Sequence, residues 1–498
     1  MQFSKLVLLV AAGLASGALL YFGTGLHPIW WMLWLAPVPV LAVAPSLRNS
    51  ASFLLGFATW LIGEMNQWNY FRHEIELPVQ TIILLFVISA LVFGLGVLFV
   101  RSFLLRGSLF LASLAFPVYW VAYEYLAATG SPHSTWGNLA YTQMDCLPMI
   151  QIASITGIWG ISFIVFLFAG ATGALLSGAG RPWQRGALVI AVSAVVCALF
   201  VFGKWRLKSI SSEQFVTVAL IAKDVPMRVY LGSEEEALKL LGEYADEVRR
   251  ATPAGTQAIV LPEKIGRVSD RALAEVDALF SSAAAATHAA IVLGIVRRTP
   301  AAAFNSSRFY SPDGKFKANY DKHHLLPGVE PEKAGDKRVL LDQPSGRWGL
   351  QICKDMDFPK LSREYAADGV DMLLVPAWDF NLDRWLHSRM AVLRAVENGF
   401  ALARSARNGL LTLSDNRGRV LAERPPRPIA LCRLPEKSTS RVRRRSTREP
   451  AIGSHGFVSP RSSCWPHGLL RPRDGRDCIV RRIEAMNCAI TGASCGFS

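Results

Sequence analysis

The sequence lacks most of what an enzyme uses to hold a cofactor. No cysteine and histidine spacing suits a metal, and no glycine-rich loop follows a strand in the manner of a nucleotide site. No internal repeat or midplane charge cluster is evident, which weighs against a transporter. Charge is also scarce, at 18% of 498 residues against 51% hydrophobic. So apolar a composition does not fit an ordinary soluble protein, and the length suggests more than one domain. The formal net charge of +15 comes in good part from an arginine-rich stretch near the C-terminus, so it does not indicate nucleic-acid binding.

What is abundant is apolar sequence in the first 208 residues. The runs Leu6–Phe22, Ile29–Ala44, Ala51–Ile62, Thr81–Val100, Leu109–Leu126, Ile152–Leu176 and Ala187–Phe202 predict about seven transmembrane helices. A span needs about 20 apolar residues, so the third and last must borrow from their flanks. Lys5, Arg48, Arg101, Arg106, Arg181 and Arg185 fall on one side of the alternating runs, and the short loops of the other side carry only Arg72. The positive-inside rule makes the first side cytoplasmic. Seven spans then deliver the following domain to the outer face, the periplasm of a two-membrane bacterium. Within this half Glu124 sits near a span end, ahead of Gly130-Ser131-Pro132 and Trp136-Gly137-Asn138. An ionisable group there marks function or a membrane interface.

From 209 to 423 the pattern changes to alternating strands and helices. Val216–Ile221, Ala289–Val296, Asp371–Pro376 and Phe400–Arg404 read as strands, with helices over Glu234–Thr252, Arg271–Ala286 and Leu386–Asn398. A hairpin turn falls at Ser311-Pro312-Asp313-Gly314. Three stretches carry chemistry. Ile259-Val260-Leu261-Pro262-Glu263 puts a carboxylate at a strand end; Tyr320-Asp321-Lys322-His323-His324 holds a lysine between aromatic and imidazole rings; Trp348 to Asp355 puts Cys353 where a strand yields to a helix. A thiol of pKa ~8.5 needs a base or a cation nearby to act at neutral pH, and a helix N-terminus favours its thiolate.

The order Glu263, Lys322, Cys353 resembles the catalytic triad of the carbon–nitrogen hydrolase (nitrilase) superfamily. The resemblance implies an α-β-β-α sandwich; pattern alone gives mixed α and β. It assigns Glu263 as base, Lys322 as oxyanion holder (worth roughly 3–4 kcal/mol per donor), Cys353 as nucleophile and Glu330 as a second glutamate. Together with the spans, and with Leu147-Pro148 through Gly160-Ile161-Ser162-Phe163, the chain from about 5 to 423 resembles apolipoprotein N-acyltransferases. Membership implies a phospholipid acyl donor, the α-amino group of a diacylglyceryl-cysteine lipoprotein as acceptor, an inner-membrane location with the catalytic domain periplasmic, and no cofactor or metal. It also implies that Asn305, Glu124 and Trp378 face substrate; loop polarity explains Asn305 equally well, and an interfacial position explains Glu124.

The chain departs from the family's pattern in places. Lys354 and Asp355 stand where an aromatic and a glutamate usually follow the cysteine, and Lys354 either depresses the thiol pKa or is merely exposed. Pro376-Ala377-Trp378-Asp379-Phe380 replaces an Asn-Asp-Ala-Trp-Phe loop, and Ala127 stands at an arginine position. Residues 424–498 are rich in Arg, Pro and Cys, lose the apolar periodicity and lack the family's closing span; they read as a frameshifted or disordered tail, and the copy as poorly stable or inactive. Two competing functions remain: a membrane-anchored amidase using water as second nucleophile, and an inactive lipid- or lipoprotein-binding homologue.

Overall fold

The computed structural model describes residues 2–208, 213–224, 232–426, 432–433 and 439–443. The first part is a bundle of apolar helices: α1 (Gln2–Gly23), α2 (Asn49–Glu64), α3 (Val79–Leu105), α4 (Leu109–Gly130), α5 (Ile158–Leu176) and α6 (Pro182–Lys208). Five of the described helices are long and apolar enough to cross a membrane, over Leu6–Gly23, Val79–Leu105, Leu109–Gly130, Ile158–Leu176 and Pro182–Lys208. The other two of the seven expected spans are shorter or broken. The run Ile29–Ala44 does not form one helix but three short pieces, Met32–Leu35, Val38–Val43 and Ala44–Ser46. Pro37, Pro39 and Pro45 explain the breaks, since proline has no N–H to give and clashes with the preceding turn. Arg101 closes the last piece, donating to the carbonyls of Ala44 and Leu47 and to Asn49 Oδ1. The third run forms α2, which has 16 residues.

The second part is built on two sheets. The strands are β1 (Glu213–Ala222), β2 (Ala258–Val260), β3 (Arg267–Ser269), β4 (Ala290–Arg298), β5 (Ala303–Tyr310) and β6 (Phe316–Asp321), then β7 (Leu340–Gln343), β8 (Gly346–Leu350), β9 (Met372–Trp378), β10 (Ala401–Arg407), β11 (Leu411–Ser414) and β12 (Val420–Arg424). The first sheet runs β1-β2-β4-β5-β6, with β3 beside β4; the second runs β12-β11-β10-β9-β8-β7. Buried apolar residues of both sheets, among them Val216, Val260, Val292, Leu350, Leu374 and Leu413, make the layer between them. Helices α7 (Glu234–Ala251) and α8 (Asp270–Thr287) cover the first sheet with Leu241, Tyr244, Val248 and Phe280. Ser233 and Glu236 form a reciprocal cap that starts α7. Helices α9 (Pro359–Ala367) and α10 (Arg384–Asn398) cover the second sheet. The expected four-layer α-β-β-α sandwich is therefore present.

Two short strands within the stretch expected to be without structure, Cys432–Arg433 and Thr439–Arg443, pair antiparallel with β1. The rest of that tail, apart from residues 424–426, lies outside the described residues.

The sandwich packs on the bundle through its α9 and α10 layer, and one core runs through both: Ile150, Ala153 and Ile158 belong to the same cluster as Met390, Leu393 and Val396. Polar contacts pin the junction. Thr135 Oγ1 donates to the Asp357 carbonyl at 2.7 Å, Arg394 donates to Tyr141 Oη at 2.6 Å and also pairs with Glu397, and Glu397 Oε1 accepts from the Ile158 amide at 2.5 Å. All of these meet the bundle end formed by residues 131–158. The connections carrying Arg48, Arg106 and Arg181 lie between helix ends that point the other way.

Arg394 is fully buried. Removing one partner of a buried ion pair leaves the other uncompensated, so Arg394→Leu is expected to destabilise the protein by about 3–5 kcal/mol. Thermal or denaturant unfolding of the detergent-solubilised chain measures this; a change under about 1 kcal/mol contradicts the role given to the junction.

Candidate active site

Each of the three sequence-expected residues comes from the end of a strand at one edge of the space between the sheets. Glu263 follows β2 and is 2% exposed. Its amide donates to the Ala377 carbonyl at 3.2 Å, which ties the first sheet to the end of β9 in the second. Gly294 on β4 makes this approach feasible. A Cβ there would stand 2.3 Å from the Pro262 carbonyl oxygen and 2.8 Å from Glu263 Cα, both backbone atoms that cannot swing aside.

Lys322 follows β6, and its amide donates to the Asn305 carbonyl at 2.8 Å. Its Nζ lies 2.9 Å from Glu263 Oε1 and 2.8 Å from Glu330 Oε2. Glu330 in turn accepts from Lys264 Nζ at 2.8 Å and from the Leu326 amide at 2.7 Å. Asn305, fully buried on β5, donates its amide to Glu263 Oε1 at 2.6 Å and to Glu330 Oε1 at 2.9 Å. Burial opposes the Lys322 ammonium, but Glu263 and Glu330 outweigh it and hold the lysine protonated far above the ordinary range. Burial pushes Glu330 up, and the two lysines more than reverse this, bringing it down to about 2. Glu330 is thus an anion at any working pH.

Cys353 begins a short 3-10 turn, Cys353–Asp357, directly after Ile352 in extended conformation. It takes φ = +42°, a strained value for a side-chain-bearing residue of the kind found at functional sites. The cysteine is partly exposed, and its Sγ donates to the Trp378 carbonyl at 3.3 Å. Burial raises the thiol well above its ordinary value, the Glu263 charge adds to this, and Lys322 opposes both. Cys353 is hydrogen-bonded to the Trp378 carbonyl, Glu263 to that of the adjacent Ala377, and Lys322 to Glu263, so the three sequence-expected residues meet at the end of β9. Desolvation and a neighbouring carboxylate exceed the help of one ammonium and of the helix start, so the thiol is held in its neutral form.

The residues after the cysteine have structural partners. Asp355 is fully buried and accepts from Tyr320 Oη at 2.6 Å, the His324 amide at 2.8 Å and the Ile352 amide at 3.1 Å. It joins the lysine loop to the Cys353 turn. Lys354 is neither exposed nor turned to the thiol: it is buried, 3.5 Å from Asp357 and 3.2 Å from His133 Nδ1 of the bundle.

Trp378 ends β9. Its carbonyl holds the thiol, and the Arg407 guanidinium lies 3.5 Å from the centre of its ring. Asp379 behind it is buried and forms a two-pronged pair with Arg404. Glu124 stays inside the bundle, where Oε1 accepts from the Leu139 amide at 2.9 Å. Among the described residues none of its hydrogen bonds reaches Glu263, Lys322 or Cys353. Lys264, Asp355 and the Asp379–Arg404 pair went unassigned in the sequence; each is recognisable only by partners far away along the chain.

A carboxylate, an ammonium and a thiol thus gather at the strand ends of an α-β-β-α sandwich, which is mounted on a bundle of apolar helices. Residues 217–432 match the carbon–nitrogen hydrolase family, and residues 16–171 match the N-terminal domain of apolipoprotein N-acyltransferase. The chain is 28% identical to the apolipoprotein N-acyltransferase of Geobacter metallireducens over 475 residues, covering 82% of this chain and 85% of that one. It is 26% identical to that of Shewanella oneidensis over 484 residues, covering 85% and 88%. Among solved structures, Nit3 of Saccharomyces cerevisiae, of the nitrilase superfamily, aligns at 23% identity and TM-score 0.37 over 43% of this chain and 86% of its own. The chain belongs to the apolipoprotein N-acyltransferase family and is a bacterial membrane acyltransferase.

Two outcomes test the geometry. The alkylation rate of the Cys353 peptide, followed by mass spectrometry in the unliganded protein, should still be climbing as pH passes 9, because its thiol is raised; a plateau reached by pH 7 contradicts a neutral resting thiol. Gly294→Ala should slow acylation of Cys353 by about tenfold to a hundredfold by displacing Glu263, whereas wild-type acylation rates would disprove the need for that close approach.

Proposed function

We propose that the protein moves a fatty acyl chain from a membrane phospholipid to the N-terminal amine of a diacylglyceryl-cysteine lipoprotein, through a thioester on Cys353. The observation that carries this is the meeting of Glu263, Lys322 and Cys353 in a domain whose helix layer shares one core with an apolar bundle. In this reading residues 1–208 form the membrane part, and residues 209–423 the catalytic domain on the periplasmic side. The basic loops at the bundle end away from the domain support that orientation.

The neutral thiol dictates a general-base step. Glu263 takes the Cys353 proton as sulfur attacks the ester carbonyl carbon, so no free thiolate need form beforehand. The carbonyl oxygen becomes the oxyanion of a tetrahedral intermediate, facing the Lys322 ammonium. Collapse breaks the ester C–O bond; the departing alkoxide recovers the proton from Glu263 and leaves as lysophospholipid. The lipoprotein amine then attacks the thioester carbonyl, Glu263 receives the amine proton, and collapse expels the cysteine sulfur, which takes that proton back. An amide is made and the thiol restored.

Glu330 holds Lys322 in place and stays ionised throughout. Asn305 serves by aligning the two glutamates, since its amide nitrogen already donates to both. Glu124 serves by fixing the turn that begins at Leu139. Trp378, partly exposed beside the sulfur, is the residue of these three that faces substrate.

The test is incubation with phospholipid followed by intact-mass analysis of the Cys353 peptide, then addition of a diacylglyceryl lipopeptide. An added acyl mass on Cys353 that is lost as the lipopeptide gains it supports the reading. Cys353→Ala should lower transfer by roughly a thousandfold or more. Release of free fatty acid in place of lipopeptide acylation would favour an amidase-type hydrolase instead.

A further inference from the structure

The loop that follows Trp378 is fastened to the membrane bundle as well as to its own domain. Between α2 and α3 the chain makes a single π-helical turn, Tyr70–Glu74. Such turns are rare and concentrate at functional sites. Both ends of this one grip the loop: Tyr70 Oη donates to Asp383 Oδ2 at 2.5 Å, and Glu74 Oε1 accepts from the Asn381 amide at 2.9 Å. Tyr70 is 4% exposed and stacks on Trp136, with 5.8 Å between ring centres and 17° between planes. Its hydroxyl is therefore held in position from the bundle side.

The contacts continue inward. Asp383 Oδ1 accepts from the Phe380 amide at 3.2 Å, which folds the loop back on itself. His387 Nδ1 lies 3.0 Å from Asp383 Oδ2, off the line of a hydrogen bond, and 3.9 Å from Asp379 Oδ1. Burial disfavours the imidazolium, but the Asp383 and Asp379 charges outweigh it and push His387 up to about 9. At neutral pH a cation thus stands between two carboxylates. Asp379 grips Arg404 and is separated by one peptide unit from the Trp378 carbonyl that accepts the Cys353 proton. The Asp379 and Arg404 charges also bear on the ionisation of the thiol, in opposite directions.

We propose that Tyr70 is a positioning residue of the acyl-transfer centre: by holding Asp383 it fixes the 379–383 loop, and through it the Trp378 carbonyl that orients the Cys353 thiol. The bundle then does more than present lipid to the domain. A segment between two of its helices sets the geometry of the nucleophile, so the catalytic domain separated from the bundle has a looser site. The inference rests on Cys353 being the nucleophile, as in the proposed function.

The test uses the full chain in detergent or proteoliposomes, with Tyr70→Phe, Asp383→Asn and the double variant. The first readout is the rate of Cys353 alkylation by iodoacetamide, which requires no lipid. Each single variant is expected to slow it by about five- to tenfold, and the double variant no more than the worse single one, because both act through one contact. The second readout is acyl transfer from phosphatidylethanolamine, where kcat should fall with KM changed by less than about twofold, as for a residue that aligns reacting groups without contacting substrate. Asp383→Asn carries the same readouts if Tyr70→Phe fails to fold. Wild-type alkylation in the single variants, or losses that multiply in the double variant, would overturn the inference. If alkylation depends on Tyr70 while the wild type never forms an acyl-enzyme with phospholipid, the positioning role stands and the proposed substrate falls.

Discussion

Everything at the site depends on one ammonium group held between two carboxylates. The Lys322 and Glu263 side chains are each 3% exposed and that of Glu330 is 5% exposed. Charges so placed are costly to desolvate and persist only where each has good partners. Here they do: Lys264 supplies a second cation to Glu330, Asn305 bridges the two glutamates, and the Leu326 amide completes the shell. The arrangement also divides the roles. Glu330 is fully committed as an anion to two lysines, and the proposed reaction accordingly gives the proton exchange with the sulfur to Glu263. A lysine kept charged by its neighbours needs no reorganisation when an oxyanion appears beside it.

The second constraint is the shared core between bundle and sandwich. A nitrilase-type domain needs only two sheets and two helix layers to be complete. In this chain the outer helix layer of the second sheet, instead of meeting water, packs on the bundle. That explains why polar contacts across the junction are fully buried: Arg394, Thr135 and Tyr141 can be satisfied only if the two parts stay together. It also explains how a bundle segment reaches the nucleophile loop.

The departures from the family's sequence pattern become intelligible in three dimensions. Asp355, in place of the longer glutamate, reaches Tyr320, His324 and the Ile352 amide, so a shorter side chain still closes the lysine loop over the nucleophile turn. Lys354 is taken up by Asp357 and His133, which removes it from the thiol's surroundings. Asp379, where an aromatic would stand, is neutralised by Arg404. Each substitution keeps its charge paired, as burial requires.

Much of this was legible in the sequence. Apolar runs gave the bundle because lipid-exposed helices must be apolar along their length, and the order Glu263, Lys322, Cys353 singled out those residues by its resemblance to the nitrilase triad. Local patterning also set the sandwich elements, since the amphipathic helices carry apolar stripes and the two on the first sheet begin at serine caps. Three things were decided only by the tertiary structure. The run from Ile29 to Ala44 became three broken pieces, since its prolines outweigh its hydropathy. The thiol became neutral, since its ionisation answers to burial and to charges brought in by other strands. The partners of Lys264, Arg404 and Tyr70 became fixed, since each lies far along the chain, and one-dimensional spacing carries no record of which buried charges will meet.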